Sequence, residues 1–273
     1  MRSDGRTAPS LPRKALNRAR LELRKALVQH VEVTEEQFRH SFRCEDPYEI
    51  LRAATLLDKE AGTIRWIRSE VRPGDVFYDV GASTGVYTLV AARRVGRDGA
   101  VYAFEPHLAN ALSLLHNIRE NGLNGAVKVL SCALSDRETY FDFEYLSARP
   151  AAYDMPESEK AKLKPLFSEL KYATTIDRLV DQGAARHPSL VKVDVDGAEL
   201  EVIRGMRELL LGQHRPRSVQ VEVNRHSKDA VNAFMEEHGF TFAERHHSSV
   251  GLARIAEGGD PDAIIHNAIY RPR

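Results

Sequence analysis

Cysteine is almost absent from this chain: Cys44 and Cys132 are the only two. Two thiols cannot build a zinc centre or a disulfide framework, and they fit a reducing compartment. Net charge is missing as well, because 39 Lys and Arg balance 39 Asp and Glu. A neutral chain has no global attraction for nucleic acid or for an anionic membrane, so neither is an expected partner. No apolar run reaches the ~18 residues of a membrane span. The N-terminus has no apolar core of the signal type. A cytoplasmic protein without an integral membrane segment is expected. Two phosphate-binding fingerprints are also lacking, the G-x-G-x-x-G turn of dinucleotide sites and the G-K-[ST] of phosphate loops. No internal repeat is visible.

What is present is an ordinary globular composition, 42% hydrophobic and 29% charged over 273 residues. That suffices for one large α/β domain with an appendage. Residues 1–12 are polar with two prolines and read as disordered. From Arg13 to His30 the chain is basic, with Leu16, Leu23 and Leu27 at helical spacing. Such a helix docks on a membrane surface or partner, or packs on its own domain or on the mate in a homodimer; the thin apolar stripe favours packing. Residues 46–71 show one apolar helical face.

A regular alternation begins after the turn RPGD. VFYDVGA reads as a buried strand, TGVYTLVAARRV as a helix, AVYAFEP as a strand and HLANALSLLHNIRENG as a helix ending in Gly. VKVLSCALS reads as a third strand, and TYFDFEY as an edge strand or hairpin. Residues 147–170 read as a loop or lid with one short helix, where Tyr145, Tyr153 and Tyr172 stack on an acceptor or simply pack. LVKVDVDG and SVQVEVN read as strands, each followed by a helix. FTFAERHH and HNAIYRP read as a closing antiparallel hairpin joined by the short loop EGGDPD. Strand–helix–strand at this spacing means right-handed crossovers and a mostly parallel, Rossmann-like sheet.

Ligands of such sheets sit beyond the carboxyl ends of the strands. Those ends supply Asp79, Gly81, Ala82, Ser83 and Gly85, then Glu105 and Pro106, then Ala133, then Asp194 and Asp196, then Glu222 and Asn224 with His226 behind them. An acid roughly 20 residues past the glycines accepts hydrogen bonds from the two hydroxyls of an adenosine ribose, which is the role expected of Glu105. NAD also needs a backbone cradle for its pyrophosphate. S-adenosylmethionine has no phosphate, and Asp79 and Asp194 suit its ammonium and sulfonium ends. The glycine-poor turn therefore favours the methyl donor, although Gly81 and Gly85 also serve tight strand–helix packing.

These segments resemble the FkbM-type S-adenosylmethionine-dependent methyltransferases. The likeness covers roughly residues 45–272 and rests on VFYDVGASTGVYTL, VYAFEPHLANALSLLHNIRENG, CALSD, ATTIDRL, LVKVDVDGAELEVIRGM and VQVEVN in that order. The resemblance implies a seven-stranded Rossmann-like class I methyltransferase sheet with an antiparallel last strand. It also implies O-methylation of a sugar, glycan or small natural-product hydroxyl. By motif position Gly81, Ser83, Gly85 and Glu105 bind the cofactor and Ala133 lies near its adenine. Ser83 departs from the family's usual Asn, and Asp196 from a frequent Glu. Residues 45–273 then form the methyltransferase domain, with residues 1–44 as a basic, partly disordered and then helical N-terminal extension.

The acceptor hydroxyl must lose its proton as it attacks. His226 is the first candidate base, since imidazole titrates near neutral pH; Asp194 and Glu222 are its rivals. Asp194 or Asp196 with Glu222 and Asn224 also offers hard oxygen ligands for Mg²⁺, a disfavoured alternative because Asp196 and Glu199 equally suit the start of a helix. Lys192, inside a buried strand, is expected to pair with an acid such as Glu222. His246 and His247 point to opposite faces of a strand and read as structural or cleft-lining. The rival functions are an NAD-dependent oxidoreductase on the same kind of sheet and a non-catalytic cofactor-binding scaffold.

Overall fold

The computed structural model describes residues 13–152 and 163–273. The disorder expected over 1–12, and the part of the 147–170 lid holding Tyr153 and its short helix, lie outside the described residues. A helix, α1 (Arg13–Leu27), leads into a hairpin of β1 (Gln29–Glu35) and β2 (Phe38–Cys44). Leu16 and Leu23 of α1 are exposed.

The hairpin was not foreseen from the sequence, and it packs into the main core. Phe42 and Cys44 are buried in the same apolar cluster as Trp66, Leu89 and Leu114. Its backbone is gripped by two asparagines: Asn121 accepts from Ser41 N at 3.0 Å and Asn117 from Arg43 N at 2.9 Å. Glu35, wholly buried, accepts hydrogen bonds from Arg94 and Arg68.

The stretch read as one helix over 46–71 is two, α2 (Pro47–Ala54) and α3 (Ala61–Glu70). Asp46 and Glu49 close a capping box at the start of α2, while the turn before Glu60 breaks the run. Then come β3 (Val76–Val80), α4 (Val86–Val95), β4 (Ala100–Phe104), α5 (Leu108–Glu120) and β5 (Val127–Leu130). The chain continues through β6 (Ala133–Leu134), β7 (Thr139–Tyr145), β8 (Phe167–Thr174) and α6 (Ile176–Asp181). It closes with β9 (Leu190–Val193), α7 (Glu199–Arg204), α8 (Arg207–Leu211), β10 (Ser218–Val223), α9 (Lys228–Glu237), β11 (Phe240–His246), α10 (Ser249–Ala256) and β12 (His266–Pro272).

The main sheet has seven strands in the order β11-β12-β10-β9-β3-β4-β5. Only β12, the last in the chain, runs antiparallel to its neighbours β10 and β11. This is the seven-stranded class I methyltransferase sheet that the resemblance implied. Helices cover both faces, so every residue of β3 and β4 is buried, Asp79 included. One core holds Ile64, Leu89 and Ile118 against one face, and the other holds Val202, Met206 and Met235 against the opposite face.

Three details depart from the sequence reading. The third strand ends at Leu130, and β6 leaves it to join β8 and β7 in a separate three-stranded sheet. The helix read as AELEVIRGMRELL breaks into α7 and α8 at Gly205, whose added Cβ would lie 2.0 Å from the Ser135 carbonyl oxygen. The joint between β11 and β12 is no short loop: α10 fills it, started by Ser248, whose hydroxyl accepts from Gly251 N.

Candidate active site

The chain order of the strands reverses between β3 and β9. Their loops part there and open a cleft of about 580 Å³. At one end stand Glu105, Pro106, His107, Asn110, Phe143 and Ala151. At the other stand Glu60, Asp194, Asp196 and Glu222, faced by Lys59 and Arg254. Gly81 and Ser83 lie on the floor between them. Among the predicted site residues the fold therefore brings together Gly81, Ser83, Glu105, Pro106, Asp194 and Glu222.

Four amides of the loop after β3 are spent on the protein. Gly81 N and Ala82 N both donate to Phe104 O at 3.0 Å, and Gly85 N donates to Ala82 O at 2.9 Å. Ser83 N donates to Glu105 Oε2 at 2.7 Å, with Ser83 at a φ of 50°. None of these donors is left for a pyrophosphate. Gly81 and Gly85 are demanded by packing and by left-handed φ values of 80° and 90°. A Cβ on Gly81 would meet Asp194 O at 1.7 Å, and one on Gly85 would meet Leu114 Cδ1 at 2.3 Å.

Glu105 is 5% exposed. Besides Ser83 N it accepts from His107 N at 2.9 Å and from Asn110 Nδ2 at 3.4 Å. Burial pushes its carboxyl up to about 7, against the pull of these donors. A carboxylate so placed, bordering the cleft with one acceptor position left on Oε2, fits a hydroxyl of a ribose. The site thus suits the ribose of S-adenosylmethionine, and its turn lacks the G-x-G-x-x-G glycines of a dinucleotide cradle.

Asp79, Ala82, Gly85 and Ala133 do not line the cleft among the described residues. Asp79 is fully buried; Thr88 Oγ1 donates to its Oδ2 at 2.5 Å, and Lys192 Nζ lies 3.7 Å from its Oδ1. Ala82 is buried, and Ala133 sits in β6 opposite Ala173. Lys192 pairs with Asp194 at 3.0 Å and not with Glu222. Adjacent side chains of a strand alternate, so Lys192 and Asp194, two residues apart, share a face. Burial alone would lower the Lys192 ammonium, yet Asp194, Asp79 and Glu60 hold it well above its ordinary value. Burial would likewise raise Asp194, and the same ammonium overrides it and holds the carboxyl low. Among the described residues no cation forms an ion pair with Glu222. Burial, then Asp194, Glu60, Glu199 and Asp196, drive it well above the carboxylate range.

His226 is not brought to the cleft. It is exposed in the loop after β10, where its Nε2 accepts from Arg225 Nε at 2.9 Å. The turn that turns it outward is built on Asn224, whose Oδ1 accepts from His226 N at 2.8 Å and Ser227 N at 3.1 Å. Asn224 is thereby committed to the backbone and not to a metal. Asp196 does not cap α7 either: it sits at a φ of 58°, and Glu199 Oε1 instead folds back to accept from Val195 N and Gly197 N. Among the described residues no group of three or more acids, histidines or cysteines is placed to hold a metal ion. His246 packs under Gly62, whose Cβ would meet its side chain at 2.2 Å, so its role is structural.

Sequence reasoning missed Glu60, Asn110, Phe143 and the wall of Val250, Gly251, Ile264 and Ile265. The S-x-x-G start of α10 and its apolar residues carried a helix signal, masked by the nearby Gly and Pro. Glu60 had no signal, because it reaches the cleft only through the break between α2 and α3.

A sequence profile of the Methyltransferase FkbM domain matches residues 79–242. The chain is 29% identical over 152 residues to the hexuronic acid methyltransferase AglP of Haloferax volcanii, covering 55% of this chain and 58% of that one. It is 30% identical over 204 residues to the 31-O-demethyl-FK506 methyltransferase FkbM of Streptomyces tacrolimicus, covering 63% of this chain and 75% of that one. A crystal structure of a methyltransferase FkbM from Methylobacillus flagellatus superposes with a TM-score of 0.48 at 15% identity, over 83% of this chain and 55% of that one. The chain thus spans little more than half the length of AglP and of that solved structure. With the profile covering more than half of its residues, the chain belongs to the FkbM family of S-adenosylmethionine-dependent methyltransferases.

Proposed function

We propose that the protein moves a methyl group from S-adenosylmethionine to a hydroxyl of a sugar, glycan or small natural-product acceptor. The observation that carries this reading is the use of the Gly81, Ala82, Ser83 and Gly85 amides within the fold. They leave an acid-lined cleft suited to a cationic, phosphate-free cofactor. The cofactor, when bound, supplies an electrophilic methyl on a sulfonium.

The chain's own residues hold and orient. Glu105 accepts a ribose hydroxyl on its remaining acceptor position. Asp194, fixed by Lys192, keeps a negative charge beside Glu222 in the cleft. Glu222 is the candidate proton acceptor: burial among other carboxylates makes its ionised form more basic than an ordinary carboxylate, and it borders the acceptor end. In-line placement of donor and acceptor supplies much of the remaining rate. The apolar wall of Val250 and Ile265 over this polar floor suits a ring that is apolar on one face and hydroxylated on the other. Two relatives are named for a hexuronic acid and for 31-O-demethyl-FK506, which supports oxygen-bearing ring acceptors.

The test is to incubate the protein with S-adenosylmethionine and a panel of sugars, uronic acids and hydroxylated macrolides, following S-adenosylhomocysteine. Release that depends on one acceptor class, with a methyl ether in the product, supports the reading. Tight cofactor binding with no transfer to any hydroxyl would favour a binding scaffold instead.

A further inference from the structure

Asn110 sits in the first turn of α5, 6% exposed, and works in two directions. Its Nδ2 donates to Glu105 Oε1 at 3.4 Å, and its Oδ1 accepts from Ala151 N at 2.8 Å. Its neighbour His107 caps the same helix, with Nδ1 accepting from Asn110 N at 3.3 Å. With Nδ1 an acceptor, the ring carries its proton on Nε2, which donates to Ser147 O at 2.9 Å. The segment 147–152 is therefore pinned at both ends to the turn that follows Glu105. This strap is built for position: Ala151 and Ala152 are 2% and 1% exposed, and Ala151 holds a φ of 55°, costly for a residue with a Cβ. Its Ala151, with Phe143 from β7 and His107, walls the end of the cleft that holds Glu105.

We infer that Asn110 is a positioning residue for the nucleoside end of the cofactor, tying the Glu105 carboxylate to the 147–152 strap so that one amide sets both the ribose acceptor and the wall beside the base. The inference rests on the methyl-donor reading. It adds that recognition of the adenosine part depends on a strap contributed from outside the main sheet. It also makes the two parts cooperative. A ribose on Glu105 favours the ionised carboxylate, which strengthens the Asn110 bond, which steadies the strap.

The experiment is calorimetric titration of the full chain with S-adenosylhomocysteine and with adenosine from pH 6 to 8. Hydrogen exchange of the Ala151 amide is followed alongside. Asn110→Ala removes both bonds and should weaken both ligands roughly tenfold or more, with faster Ala151 exchange. Asn110→Asp keeps an acceptor for Ala151 N but sets a second carboxylate beside Glu105. It should preserve slow Ala151 exchange while moving the binding midpoint to higher pH, which separates the contact with Glu105 from the hold on the strap. Wild-type protein that binds S-adenosylhomocysteine, with both variants binding within twofold of it at every pH, would overturn the inference alone. Wild-type protein that binds neither ligand would remove the methyl-donor reading and this inference with it.

Discussion

Lys192 Nζ lies 3.0 Å from Asp194 Oδ2 and 3.7 Å from Asp79 Oδ1, with the ammonium and Asp79 wholly out of solvent. One cation thus ties the ends of β3 and β9 together where the sheet reverses, and the aromatic ring of Tyr87 lies 5.1 Å from it. Removing one partner of such a group leaves a buried charge without compensation.

Lys192→Met should therefore cost about 3–5 kcal/mol of stability, measured by urea unfolding at neutral pH. Asp194 adds a pH signature. Its folded carboxyl is held low, so its contribution is present above the ordinary carboxylate range and is lost as pH falls through the depressed value. In Lys192→Met that part of the acid limb should vanish. A loss under about 1 kcal/mol would show that the pair carries little.

Glu105 behaves in the opposite sense. Its carboxyl is pushed up to about 7, so the folded protein binds more protons than the unfolded chain between the ordinary carboxylate range and that value. Without ligand, stability contributed by this site should fall as pH rises across that window. Cofactor affinity should rise over the same window, because a ribose hydroxyl donates to the ionised form. Glu105→Ala should flatten both trends and weaken cofactor binding by about 1–3 kcal/mol. Unchanged affinity would remove Glu105 from the site.

Gly81→Ala sets a Cβ against the Asp194 carbonyl at 1.7 Å, at a φ of 80°. The loop must move, so a loss of more than about 2 kcal/mol and of cofactor binding is expected, read by thermal unfolding with and without S-adenosylhomocysteine. A variant with native stability would mean that the β3–β9 junction is looser than described.

The proton acceptor can be assigned by comparing two variants. Glu222→Gln keeps shape and the uncharged state, so cofactor binding should persist while turnover drops by roughly 10²–10⁴ and loses its rise with pH. His226→Ala should leave turnover within about twofold, since surface changes away from the site are near neutral. The reverse pattern would return the base role to His226.

The main sheet was legible because its strands are buried on both faces and its helices end in clear signals such as Gly239, at a φ of 78°. The Glu105 end of the cleft was legible for the same reason: Gly81, Ser83 and Glu105 follow directly from strand ends. The Glu60 end was not. Glu60 and α10 arrive from segments distant in sequence, and no local pattern announces what a helix will face across a cleft. His226 misled because nearness to a strand end fixes a position along the chain and leaves the direction of the side chain open. Here Asn224 and Arg225 decide that direction. The hairpin at 29–44 was hidden by short alternations among charged residues, whose partners Asn117, Asn121 and Arg94 are themselves remote.

The most direct test of the central claim is calorimetric titration of the protein with S-adenosylmethionine and, in parallel, with NAD. The amides committed to Phe104, Ala82 and Glu105 predict micromolar binding of the methyl donor and no heat from NAD. Binding of NAD in place of S-adenosylmethionine would contradict the account, along with every residue role built on a phosphate-free site.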